Sequence, residues 1–173
     1  VAFLGASVGW PGLPVVLDIL ESEGVSAFAM DYVPGRSPRR RERLGALRLL
    51  GLWVDRSRRV RLSEVPAWQR TLEALQSSDP GGSTGNVERL AHAGEQVVHP
   101  AVMHGDFAPW NLKVHDNRWT AIDWERGCLT GVPGWDWLHY VVQPAVLVDR
   151  VSPGRILRRM EMAIGSPAAS PAS

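Results

Sequence analysis

Two short runs, Leu112 to His115 and Arg118 to Ile122, are joined by Asp116-Asn117, and this junction constrains the chain more than any other feature. A two-residue Asp-Asn link between such runs predicts a β-hairpin that folds straight back. The chain enters the hairpin from His104-Gly105-Asp106-Phe107-Ala108-Pro109-Trp110-Asn111 and leaves it through Ile122-Asp123-Trp124-Glu125. Folding back sets Asp123 beside Asn111, so one amide oxygen and one carboxylate can share a hard cation such as Mg²⁺. Asp106, at the other end of the Pro-containing loop, is left to accept a proton from a hydroxyl.

Position by position, these residues resemble the catalytic loop of the aminoglycoside phosphotransferase and choline kinase superfamily, H-x-D-x-x-x-x-N followed by a hydrophobic strand and an Asp. The resemblance implies that Asp106 is the catalytic-loop carboxylate, that Asn111 and Asp123 are metal ligands, and that His104 braces the loop. It also implies that Asp136, in Gly134-Trp135-Asp136-Trp137, is a buried carboxylate on the following helix that holds the loop by backbone hydrogen bonds. The likeness runs from about Val102 to Tyr140 and extends more loosely back to Val15. There Ala27-Phe28-Ala29-Met30-Asp31-Tyr32-Val33-Pro34-Gly35 is similar to the last small-lobe strand and hinge. Met30, Asp31, Tyr32 and Val33 then form the segment whose backbone meets the adenine of ATP.

The implied fold is α+β: the mostly helical C-terminal lobe of a protein-kinase-like fold, carrying a catalytic β-hairpin and a remnant of small-lobe strands and hinge. Residues 1–35 correspond to that remnant, 36–165 to the helical lobe and 166–173 to a disordered tail. The implied activity is transfer of the γ-phosphoryl group of ATP, with Mg²⁺, to a hydroxyl of a small molecule.

Other residues near the motif admit two readings. Glu125 either contacts a second metal or the substrate, or is a solvated carboxylate just past a strand. Trp110 and Trp124 are expected to pack around the site. A metal-dependent hydrolase using His104 and Asp106 as ligands would need further His, and His92, His99, His115 and His139 are scattered without ligand spacing.

One element of a kinase is missing from the sequence. Such enzymes hold the nucleotide with a phosphate-covering loop and a strand Lys, yet the only lysine here is Lys113, just beyond Asn111. Gly5-Ala6-Ser7-Val8-Gly9 has too little chain before it to form a phosphate loop and reads as linker. The opening on Val1, with no secretory pattern, suggests a fragment or a truncated lobe. A noncatalytic, pseudokinase-like binding module is therefore the alternative expectation.

At 173 residues and 45% hydrophobic content the chain can bury a core, and no apolar run reaches the ~18 residues of a membrane span. A net charge of +1 offers no global field for nucleic acid. The single Cys128 excludes an internal disulfide framework and fits a reduced cytoplasmic setting. Arginines cluster from Arg36 to Arg43 and from Arg56 to Arg61, but Glu42 and Asp55 interleave with them, and they read as solvated surface.

Val15 to Leu20 and Val25 to Val33 read as strands around Glu23-Gly24. Arg40 to Leu52 and Glu64 to Gln76 read as amphipathic helices, the second capped by Ser63. A loop from Asp79 to Gly85 precedes a short helix capped by Asn86. Asp136 to about Val148 reads as a helix that Pro144 kinks or breaks, and Ser152-Pro153 opens a last one.

Overall fold

The computed structural model describes residues 9–78 and 84–165. The linker reading of Gly5 to Val8, most of the Asp79–Gly85 loop and the tail from Ser166 lie outside the described residues. Within them the protein is a mixed α and β structure of five α-helices and four two-stranded antiparallel sheets. No helix among the described residues is long and apolar enough to cross a membrane.

The chain divides into two compact units. The first comprises the described residues up to Trp53, His104–Gly127, and those from Gly134 onward. It opens with strands β1 (Val16–Ser22) and β2 (Val25–Met30), turning at Glu23-Gly24 with φ of 47° and 81°. Two consecutive positive φ values are what the right-handed twist of a two-residue hairpin requires. The second strand ends at Met30 rather than Val33, although Asp31 still donates its N–H to Val15 O at 2.9 Å. Most of β1 is exposed, with Leu17 and Leu20 both more than 60% accessible.

A 3₁₀ turn, Arg40–Glu42, then leads into helix α1 (Arg43–Leu52). Arg36 forms a two-bond ion pair with Glu42 at 2.7 and 2.8 Å. That pair, followed by the Arg39 N–H, pulls the Glu42 carboxyl down to about 2. The arginine cluster is thus partly tied into its own surface carboxylates.

The expected hairpin is present, with β6 (Leu112–His115) and β7 (Arg118–Ala121) in two-residue-loop register, His115 opposite Arg118. Asp116 and Asn117 sit at φ of 47° and 60°. Both edges are extended by loop backbone: Arg36 and Val114 exchange N–H···O bonds of 3.2 and 2.8 Å, and Ala121 donates to Gly12 O at 2.8 Å. Helix α1 meets the hairpin at Gly45, where an added Cβ would lie 2.2 Å from the Trp119 ring. Only a residue without a side chain permits that approach.

Helix α4 (Trp135–Leu147) runs past Pro144, which was expected to kink or break it. Proline removes only the bond to the Tyr140 carbonyl, and Val148 closes the next turn on Pro144 O at 3.0 Å. Helix α5 (Pro153–Ile164) docks through Trp137, whose indole N–H reaches Ala163 O at 3.2 Å. The core of this unit is aromatic: Trp53 packs edge-on to Phe107 and against Trp124, and Phe107 meets Tyr140.

The second unit comprises Val54–Met103 and Cys128–Pro133. Helix α2 (Pro66–Ser78) and helix α3 (Thr84–Gly94) accompany two short ladders, β3 (Val60–Arg61) with β4 (Val97–Val98) and β5 (Ala101–Met103) with β8 (Cys128–Gly131). Leu62, Val65, Ala67 and Met103 form its core, flanked by Trp68, Val98 and Cys128. Ser63 is not a helix cap: it lies within the 3₁₀ turn Leu62–Glu64, and α2 begins at Pro66, a residue suited to a first turn. Asn86 likewise falls inside the first turn of α3 rather than before it.

Candidate active site

The loop after Met103 is organised by a buried imidazole. His104 is fully buried and both ring nitrogens are used: Nε2 donates to Ile122 O at 2.8 Å, and Nδ1 accepts the Asp106 N–H at 3.3 Å. One donor and one acceptor are the inventory of a neutral imidazole. Burial pushes its pKa down, against the opposing pull of the Ile122 bond and of Asp106 and Asp123. His104 thereby links the start of the Asp106 loop to the hairpin exit, one residue before Asp123. Phe107 and Trp124 pack against its ring, with centroids at 6.0 and 4.5 Å.

Asp136, at the start of α4, accepts the N–H groups of His104 at 2.7 Å and Gly105 at 3.0 Å. Its side chain is almost fully buried. Burial raises its carboxyl to about 6, more than the two N–H bonds lower it, and the nearby Asp106 charge adds to the rise. Gly105 has φ of 80°, and a Cβ there would lie 2.8 Å from Arg126 O, so the loop requires glycine at this point.

Asp106 is half-buried and points into the same region. Asn111 ends a 3₁₀ turn, Pro109–Asn111, and donates its Nδ2 to Asp106 O at 2.9 Å and to Asp106 Oδ2 at 3.0 Å. That commits the amide nitrogen and leaves Asn111 Oδ1 as an acceptor. The Ile122 N–H donates to Asn111 O at 2.9 Å, so the hairpin places the residue preceding Asp123 directly on Asn111. Asp123 itself is exposed and takes φ of 66°, a left-handed conformation that Asp tolerates better than most residues.

A neutral amide oxygen and one free carboxylate suit a hard cation that retains water or phosphate oxygens, rather than a soft metal held by a full protein cage. No group of three or more His, Cys, Asp or Glu among the described residues is placed to hold a metal ion.

Glu125 is exposed beside Arg126, 3.8 Å away. Trp124 packs against the site as expected, but Trp110 is 38% exposed and stays out of the aromatic cluster. Of the segment Met30 to Val33, Tyr32 is 87% exposed. This segment runs into Arg36, whose backbone pairs with Val114 on β6.

One neighbour was not anticipated. His139, a turn after Asp136 on α4, brings Nδ1 to 3.7 Å from Asp106 Oδ1. The signal available in the sequence was its i+3 spacing from Asp136, which puts both on one helix face.

No protein-family model matches the chain, and a search of curated proteins returned no match. Among solved structures it is similar to a glucosamine kinase (crystal form B) at 15% identity and a TM-score of 0.41. That similarity covers 92% of this chain and 53% of the other, so the chain spans about half the length of that protein.

Proposed function

We propose that this chain is the acceptor-activating, metal-holding part of an ATP-dependent small-molecule phosphotransferase of the aminoglycoside phosphotransferase and choline kinase type. The observations that support the reading are the hydrogen bond from Asn111 to Asp106 and the bond from the N–H of Ile122, the residue before Asp123, to Asn111 O. In this mechanism Asp106 receives the proton of the acceptor hydroxyl as its oxygen bonds to the γ-phosphorus and the bond to the departing ADP oxygen breaks. Asn111 Oδ1 and the Asp123 carboxylate would hold Mg²⁺, which supplies positive charge to the phosphate oxygens when bound. His104 and Asp136 act on the loop rather than on the reactants. Residues Met30 to Val33 are assigned to the nucleotide edge, and the single thiol and use of ATP fit a cytoplasmic setting.

The test is Asp106→Asn, assayed for ADP release with a panel of amino alcohols and amino sugars. Loss of a general base predicts a fall of about 10²–10⁴ in kcat with Mg-ATP affinity kept. Unchanged turnover removes the assignment.

A second reading is favoured by one fact: Lys113, the only lysine of the chain, lies on β6 just after Asn111. On this reading the chain is a noncatalytic, pseudokinase-like module without an ATP-clamping lysine. Mg-ATP then raises the melting temperature only weakly, and product formed by the 173-residue chain excludes it.

A further inference from the structure

His139 is a half-buried histidine that the mechanism above leaves unused. Its Nδ1 is inaccessible to solvent and has no hydrogen-bond partner among the described residues, while the nearest acceptor of opposite charge is Asp106 Oδ1 at 3.7 Å. The other ring nitrogen is spoken for: Nε2 lies 3.0 Å from Gln143 Nε2, one turn along α4. With its –NH₂ turned to the ring, Gln143 donates and His139 Nε2 accepts, which in a neutral imidazole places the proton on Nδ1. That proton faces Asp106. The opposite carboxylate oxygen, Oδ2, is already held by Asn111.

We infer that His139 is a positioning residue for Asp106, presenting Nδ1–H to Oδ1 so that the carboxylate is fixed from both sides in one rotamer. The inference rests on the reading of Asp106 as the proton-accepting carboxylate. A buried N–H left without a partner is costly, so the 3.7 Å gap favours closure, directly or through one water. The clamp leaves the remaining lone pairs of Asp106 as the route for an acceptor proton. Gln143 then sets the histidine tautomer, as partners of catalytic histidines commonly do. Burial pushes the His139 pKa down, Asp106 opposes that shift and Arg126 adds to it, with His104 alongside.

Nuclear magnetic resonance on the whole chain tests this without any substrate. Nitrogen-15 shifts of the His139 ring should show the Nδ1–H form predominating at neutral pH in the wild type. Asp106→Ala and, independently, Gln143→Leu should each move the population toward Nε2–H. Three-bond couplings should report one χ1 rotamer for Asp106 in the wild type and an average in His139→Leu, or in Gln143→Leu if His139→Leu does not fold. A wild-type ring in the Nε2–H form, or an Asp106 rotamer indifferent to these changes, overturns the inference while leaving Asp106's assignment intact. Full turnover in Asp106→Asn overturns that assignment and leaves the ring measurement standing, so the two failures are distinguishable.

Discussion

Replacing Asp136 by Asn isolates the energetic cost of the buried carboxylate that holds the loop. Burial moves this group from 3.8 to about 6, so between roughly pH 4 and pH 6 the folded chain keeps a proton that the unfolded chain has released. The folded state binds more protons in that window, and stability falls as pH rises through it. The contribution is fully present below about 3.8, is lost above about 6, and amounts to about 3 kcal/mol. Asn has the same shape and does not titrate. The stability of the wild type minus that of Asp136→Asn should therefore decline by about 3 kcal/mol from pH 3 to pH 7 and flatten beyond. Titrating groups that do not interact with the Asp136 charge are common to both proteins and cancel, including His104, whose depressed pKa acts in the opposite direction. Urea unfolding followed by tryptophan fluorescence measures the difference; for slopes of about 1–3 kcal/mol per molar, the relative midpoint moves by about 1–3 M. A difference that is flat with pH, or that grows, refutes the claim that desolvation outweighs the two N–H bonds at this site.

Gly105→Ala places a Cβ 2.8 Å from Arg126 O at a φ of 80°, and strain of about 1–3 kcal/mol should appear as a thermal shift of several degrees. A melting point unchanged within a degree would mean that the loop has another conformation. Asn111→Leu removes both the Asp106 anchor and the amide oxygen, so the Mg²⁺ concentration for half-maximal turnover should rise about 10–100-fold. An unaltered Mg²⁺ requirement would exclude Asn111 as a ligand.

The hairpin was legible because its instructions are local. Asp116-Asn117 specify the turn and Glu23-Gly24 specify the first hairpin, since consecutive positive φ values restrict the residue types allowed. The helices of the first unit were also legible, with boundaries within a few residues of those expected. The ladders β3–β4 and β5–β8 were not read, because each strand has only two to four residues, too few for a period-two pattern to register. Their pairings join positions far apart in the chain, Val60 with Val98 and Met103 with Cys128, and nothing local encodes such closures. The strand content of Val16–Ser22 was legible, but its exposure was not, because β-branched composition reports fitness for a pleated surface and not what covers it.

The same contrast governs the site. In His104-Gly105-Asp106 the spacing in sequence is itself a hydrogen bond, the Asp106 N–H reaching back to His104 Nδ1, while the far nitrogen finds the carbonyl just before Asp123. A pattern of residue types at fixed spacing therefore carries the geometry of loop and hairpin together, and Asp136 follows once the next helix is known to return. His139 has no such local bond to Asp106. Its place depends on where Asp136 anchors α4 and on which helix face that anchor turns inward, and the i, i+3 spacing gains meaning only after the anchor is identified. The motif thus encoded the residues bound to one another through backbone groups, and left unread the side chain that reaches the site through the packing of a helix.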